Sequence, residues 1–274
     1  FMNTEVRSVG TTKMAEFSGI VVYRKDYRER DMLVKILTDH YGFKMFFVRG
    51  ARKRGFKLAA AILPFTSATF IGTINDSGLS FISAVKEVKQ FQTICNDIVL
   101  NAYASYILGL GEVAFGDAVP LNIWYEKLVH VLKLIDDGID AAILTNMIEV
   151  QMLGFFGVKP NLANCVVCAE NQGEFDFSQS LGGLLCRNHW HVDPQRMHLD
   201  KRTIFFLRQF SAVDILKIGN INVKDNTKKN LRAALDQIYN NEVGVNIKAK
   251  HFIDEMEKWP KEILHNQQEK QTKD

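Results

Sequence analysis

The sequence predicts an α+β multidomain protein: a small antiparallel β-barrel, then an α-helical domain that carries a metal-binding insertion. Three observations lead there. Between Phe17 and Lys86, apolar residues recur with period two in short runs separated by turn chemistry. From about Glu87 the apolar spacing becomes that of a helix. Within the helical part, Cys165 and Cys168 form one close pair and Cys186 and His189 a second, with 17 residues between the pairs.

The strands follow in order. FSGIVVYR is rich in β-formers and leads into the turn-like KDYRER. DMLVKILTD then alternates through Met32, Val34 and Ile36. Tyr41-Gly42 introduces FKMFFVRG, the basic stretch ARKRGFK follows, and AAILPFTSATFIGTI turns through NDSG into LSFISAVK. Five strands in about 70 residues fit a Greek-key barrel of the OB type. An SH3-like barrel has the same periodicity and is the alternative. The expected barrel spans residues 14–86. Met14-Ala15-Glu16 reads as a natural start, so residues 1–13 are set apart as an upstream leader without an apolar signal core. Phe43, Phe46, Phe47, Phe65 and Phe70 are expected in the barrel core.

The helical domain is expected over residues 87–260. QFQTICNDIVLNAYASYILGL places Ile94, Ile98, Ala102, Tyr106 and Leu110 in register, with Cys95 as a small core residue. GLGEVAFG reads as a helix–helix turn. Asn122 precedes a helix with Trp124, Leu128, Val131 and Ile135 on one face, and Asp136, Asp137 and Asp140 mark its end. AAILTNMIEVQMLGFFG is mostly apolar and so expected to be buried, ending at Gly157 and Pro160. Helices over 201–210, 226–241 and 250–258 follow the insertion at 161–194. The polar end, 261–274, is expected to be a flexible tail.

Composition narrows the function classes. The 274 residues are 47% hydrophobic and 24% charged, an ordinary globular balance. No uncharged apolar run of about 18 residues is present, so no membrane is expected as a partner. Four cysteines, three of them clustered, do not make a disulfide framework, and the cytoplasm is the expected compartment. The net charge of +3 is unevenly spread. Residues 14–60 hold 11 Lys/Arg against 5 Asp/Glu, residues 1–13 add +1, and residues 61–274 sum to −4. Such asymmetry points to a polyanion-binding face on the barrel. Candidate phosphate contacts are Arg24, Lys25 and Arg28 in the first connection, with Arg30 beside them, and Arg49, Arg52, Lys53, Arg54 and Lys57 in the basic loop. Gly50 and Gly55 let that loop bend, and Tyr23, Tyr27 and Phe56 are placed to stack on bases if exposed. No helix with a basic face is available to read sequence.

The paired ligands have the spacing of a structural zinc site, in which each short turn aims two ligands at one tetrahedral ion. His189 repeats the spacing of the first pair and is the expected fourth ligand; His191 is the alternative. The linking segment has turn formers and one short apolar patch, so a metal is expected to hold it. Four protein ligands leave no open position, and no His-x-Glu deaminase signature, phosphate loop, nucleophile elbow or dinucleotide fingerprint is present. The expectation is a non-enzymatic protein.

In order, FSGIVVYRKDYRERDMLVKILTDHYG, VRGARKRG, LGFFGVKPNLANCVVC and LGGLLCRNH resemble the bacterial recombination mediator family RecO, from Met14 to about Met256. The run LGFFGVKPNL leading directly into CVVC is the most specific part, and YNNEVGVNIKAKHFI is similar to the family's last helical motif. The resemblance implies an N-terminal OB-fold and a helical domain with a zinc-binding insertion whose ligands carry over onto Cys165, Cys168, Cys186 and His189. Histidine in the fourth place departs from the four-cysteine form. Some relatives lack the metal, which implies a structural role for zinc. The resemblance further implies binding to single- and double-stranded DNA, annealing of complementary strands, and help in loading RecA onto DNA covered by single-stranded-DNA-binding protein. RecR is the implied partner, and the nucleoid the implied place of work. A zinc-stabilised protein–protein adaptor without direct DNA binding is the alternative function.

Overall fold

The computed structural model describes residues 12–256 and 258. Residues 1–11 of the expected leader and the expected tail at 261–274 lie outside the described residues. The chain divides into two compact units. One comprises the residues up to Cys95 with Phe115–Val129, and the other Asn96–Ala114 with the residues from His130 onward.

The first unit is built on five strands, β1 (Thr12–Tyr27), β2 (Asp31–Thr38), β3 (Gly42–Val48), β4 (Thr66–Asn75) and β5 (Ser80–Gln90). They close in the order β1-β2-β3-β5-β4, with β1 also paired to β4 and with β3 and β5 parallel. This closed five-stranded order is the OB-type barrel that the strand count predicts. Period two decides which side chains fill it. Phe17, Val21, Val34, Ile36, Phe46, Val48, Ala68, Phe70 and Ile74 form the interior cluster. Rings of Phe17, Phe46 and Phe70 stack with centroids 5.3–5.8 Å apart.

Both barrel boundaries lie outside the expected ones. β1 begins at Thr12, so Thr12 and Lys13 are ladder residues opposite Asn75 and Ile74 rather than part of a leader. β5 runs to Gln90, where Ser67 and Thr66 pair with Lys89 and Gln90. The charged, exposed residues in that stretch hide the alternation on which the sequence reading relies.

A bulge in β1 re-aims its second half. Val21 pairs with Ile36 and Tyr23 with Lys35, so Val22 is the extra residue. Odd-numbered β1 residues point inward before it and outward after it. Part of the outer face has its own cover: Ile20, Leu37 and Phe43 are buried there, and the Ala118 N–H donates to the Phe43 carbonyl at 2.9 Å. Lys35 is also buried on this face and ion-pairs with Asp117. Lys44 is 5% exposed, and burial lowers its pKa against the pull of Asp76 and Asp117. The charge count over 14–60 therefore overstates the cationic surface by two side chains. Phe47 is a further correction. It lies half-buried on the outside of the barrel, because alternation along β3 sends Phe46 inward and Phe47 outward. Cys95 is half-buried rather than core.

The second unit is helical. Its main helices are α2 (Ile98–Phe115), the second half of α3 (Ile123–Asp136), α4 (Ala141–Met152), α5 (Lys201–Ala212), α6 (Asp225–Ile238) and α7 (Lys248–Met256); the short α1 (Gln92–Asn96) and the first half of α3 belong to the first unit. Leu128, Val131, Leu132 and Ile135 form the buried face of α3, and Asp140 caps α4 by accepting from the Ile143 N–H at 3.1 Å. α2 does not turn at GLGEVAFG but continues helical to Phe115. Gly109 there faces Ile247, which would stand 3.0 Å from an added Cβ, so the glycine serves close packing. α2 is long and apolar enough to cross a membrane by length and composition, yet its Tyr106, Ile107, Leu108 and Leu110 are buried within the protein.

At the centre of this unit Glu149 of α4 is wholly buried. Arg232 of α6 grips its carboxylate through two nitrogens at 2.7 and 2.9 Å, and the Tyr106 hydroxyl donates to it at 2.7 Å. Burial opposes the Arg232 cation, but the Glu149 carboxylate outweighs it and raises the pKa. The same buried carboxylate adds to burial in raising the Tyr106 phenol. Removing one partner leaves a buried, uncompensated charge. Arg232→Met is therefore expected to cost about 3–5 kcal/mol of stability. The double replacement Glu149→Met/Arg232→Met is expected to recover most of that. Denaturant unfolding of the three proteins checks it, and a single variant as stable as the parent would refute it.

Candidate metal centre and nucleic-acid interface

The insertion is a three-stranded sheet in the order β6-β8-β7, from β6 (Asn161–Cys165), β7 (Phe175–Ser178) and β8 (Gly183–Cys186). Cys165 ends β6 and Cys186 ends β8, and β6 and β8 are parallel neighbours, so two strand ends deliver two sulfurs to one place. Gly183 makes the approach possible: an added Cβ would lie 2.6 Å from the Asn161 carbonyl oxygen. After Cys165 the chain turns tightly, with the Ala169 N–H donating to the Cys165 carbonyl at 2.9 Å, which returns Cys168 to the same point. After Cys186 a 3₁₀ turn (Arg187–Val192) brings back His189.

The four ligand atoms of Cys165, Cys168, Cys186 and His189 lie within 4.8 Å of one another. Cys168 Sγ is 3.8 Å from Cys186 Sγ, and His189 Nδ1 is 3.2 Å from Cys186 Sγ and 3.7 Å from Cys165 Sγ. Zinc bonds of about 2.3 Å to sulfur and about 2.0 Å to nitrogen in a tetrahedron require S···S and S···N separations of about 3.8 and about 3.5 Å. The residues thus fit a tetrahedral metal ion. His191, the alternative fourth ligand, is exposed and outside the cluster. Burial opposes ionisation of Cys165, but backbone N–H groups of Cys186, Cys168 and Val167 outweigh it and set the thiol at about 6. Burial, then hydrogen bonding to Cys168 and Cys165, pushes Cys186 up.

The insertion has more support than its sequence suggests. Phe175, Phe177, Leu184 and Leu185 are buried, β6 and β7 pack on α5, and the Arg208 guanidinium lies 4.9 Å from the Phe175 ring centroid. The module is therefore seated by apolar packing as well as by whatever the four ligands hold. The apolar residues arrive in two short clusters 7 to 10 residues apart, too brief to declare a sheet by periodicity.

On the barrel, all eight candidate phosphate contacts are exposed, as is Arg30. Two connections far apart in sequence meet. The Arg52 N–H donates to the Arg30 carbonyl at 3.1 Å, the Arg52 guanidinium pairs with Asp26 at 3.3 Å, and the Gly50 N–H donates to Asp31 at 2.7 Å. Gly50 has φ +69°, the left-handed turn that opens the loop. Arg49, Lys53, Arg54 and Lys57 line one shallow depression there. Of the three candidate stacking rings, Phe56 packs against the barrel core, and Tyr23 and Tyr27 are half-buried. Sequence reasoning missed Phe81, 41% exposed, whose ring lies 5.8 Å from that of Phe47. Strand parity was the available signal.

Comparisons with known proteins agree along the chain. A family model for the recombination protein O N terminal domain matches residues 13–91, and one for the recombination protein O C terminal domain matches 95–251. The DNA repair protein RecO of Ligilactobacillus salivarius is 56% identical over 92% of this chain and 98% of its own. That of Latilactobacillus sakei is 53% identical over 89% and 90%, and that of Lactiplantibacillus plantarum 50% identical over 90% and 95%.

The metal cluster makes a direct forecast. Purified protein is expected to hold one metal ion per chain; Cys165→Ser and His189→Ala lose it, and His191→Ala keeps it, as measured by elemental analysis. Protons compete for the ligands, and the metal-free Cys165 thiol takes one up as pH falls through about 6. Metal content is therefore expected to be full near neutral pH and to fall below about pH 5. Retention in acid would contradict this ligand set.

Proposed function

This chain belongs to the RecO family of DNA repair and recombination proteins, and on that premise we propose that it is a non-catalytic recombination mediator. It binds single- and double-stranded DNA through the barrel, anneals complementary strands, and acts with RecR to load RecA onto DNA covered by single-stranded-DNA-binding protein. Its place is the cytoplasm, at the nucleoid.

The observation that carries the reading is the meeting of the β1–β2 connection with the 49–57 loop at one end of the barrel. Arg28, Arg30, Arg49, Arg52, Lys53, Arg54 and Lys57 are exposed there, while Arg24 and Lys25, expected in the connection, are exposed ladder residues near the end of β1, opposite Val34 and Leu33. Such a surface takes phosphates without reading bases, and by neutralising both strands it lowers the repulsion that opposes pairing. Asp26 and Asp31 at the strand ends are engaged by Arg52 and by the Gly50 N–H. The metal is zinc in this reading, bound by Cys165, Cys168, Cys186 and His189 as a staple, since four protein ligands leave no site for chemistry.

The experiment is binding of a labelled single-stranded oligonucleotide across a salt series, with annealing of its complement as second readout. Arg49, Lys53 and Arg54 are the residues to remove, because Arg52 also bonds to Asp26 and to the Arg28 carbonyl. Arg49→Ala/Lys53→Ala/Arg54→Ala is expected to weaken binding and to reduce the slope of log K against log salt by about 2. An unchanged slope would reject this loop as the contact. No binding by the unaltered protein at low salt would reject the DNA reading and leave the adaptor.

A further inference from the structure

The phosphate-binding surface accounts for the charges but not for the aromatic side chains left on the outside of the barrel beside them. Three strands each contribute one ring to a single row. Tyr27 and Phe47 lie 5.9 Å apart at 88°, and Phe47 and Phe81 lie 5.8 Å apart at 74°. The register puts them on one face: Tyr27 is opposite Asp31, Phe47 is opposite Leu33, and Phe47 and Phe81 are partners across the parallel pair. Tyr27 is on this face only because of the bulge at Val22; unbulged alternation would turn it inward.

This row is unlike the rest of the outer barrel face. At the other end, Ile20, Leu37 and Phe43 are buried, whereas Phe81 stays 41% exposed and Tyr27 and Phe47 half-exposed. Cations accompany it. The Arg28 guanidinium lies 5.1 Å from the Tyr27 ring centroid, and Lys25 is exposed on the same face, opposite Leu33. A row of apolar ring faces edged by cations matches the chemistry of an unpaired nucleic-acid strand, which has flat apolar bases on an anionic backbone. A duplex hides its base faces and matches only the cations. The near-perpendicular rings do not form one continuous stack, so each offers its own face to a separate, splayed base.

Resting on the DNA-binding reading above, we propose that Tyr27, Phe47 and Phe81 form a base-stacking row that takes unpaired bases of single-stranded DNA while Lys25 and Arg28 hold the adjoining phosphates. The row gives the protein a preference for single strands that its basic loop alone does not supply.

The test uses the whole protein with Phe81→Ala, Phe81→Leu and Phe81→Trp, read by anisotropy on a single-stranded oligonucleotide and on the same sequence as duplex. Phe81→Leu keeps apolar bulk and guards against a folding artefact. Alanine and leucine are expected to weaken single-strand binding about ten-fold, with the salt slope and duplex affinity unchanged. Tryptophan is expected to keep affinity and to be quenched by the single strand. Unchanged single-strand affinity in the alanine and leucine variants would overturn the row and leave that face to a protein partner. Equal losses on both ligands would also overturn it, as would an unquenched tryptophan. If the unaltered protein binds no DNA at low salt, the DNA reading itself fails, which is a different result from a parent that binds and a Phe81 variant that binds equally well.

Discussion

Glu149 is a carboxylate shut away from the protein surface, and the helical unit is arranged to answer it. A carboxylate held in the interior costs several kcal/mol unless its partner is close and its remaining lone pairs are occupied. Arg232 supplies two parallel bonds and Tyr106 a third, and the Tyr239 hydroxyl donates to the Glu149 carbonyl at 2.9 Å. These bonds fix α2, α4 and α6 in rotation as well as in distance, because a bidentate guanidinium tolerates little error in angle. Lys250 of α7 joins through Asp236, itself bonded to Arg232. Apolar packing alone would hold such helices with less rotational precision.

The same unit carries the cluster of metal-ligating side chains. The insertion follows α4 by way of the Leu153–Phe156 turn, and α5 resumes directly after it, so both ends of the module are anchored in helices that also carry the buried network or pack beside it. The sheet and its seat on α5 place the strand ends, and the ligands then need only short turns to converge. The apolar residues of the module already contribute to its support, which separates it from small fingers that fold only with an ion.

In the barrel, charge has two fates. Lys35 and Lys44 are buried, Lys35 against Asp117 and Lys44 with its pKa lowered by burial, and neither adds to the surface potential. The arginines and lysines of the two meeting loops are exposed, and Arg52 is tied to a local acid, Asp26, by a direct ion pair. One end of the barrel is therefore cationic in a way a count over residues 14–60 describes only loosely.

Much of this was legible in the chain because its signals are local. Alternation identified the strands, the 3.6-residue period identified α3 with its buried face, apolar content marked α4 as buried, and matched short spacings named Cys165, Cys168, Cys186 and His189 before any geometry. The choice between His189 and His191 needed the 3₁₀ turn, since both histidines sit within reach of the sulfurs in sequence. The remainder depended on contacts between residues far apart in the chain. Lys35 and Asp117 are 82 residues apart, a bulge of one residue turned Tyr27 outward, and parity across a parallel pair brought Phe47 beside Phe81. Local periodicity reports how a strand divides its side chains between two faces. Which face becomes core, cover or open surface is decided by what packs against it, and that is a property of the closed barrel and not of any one segment.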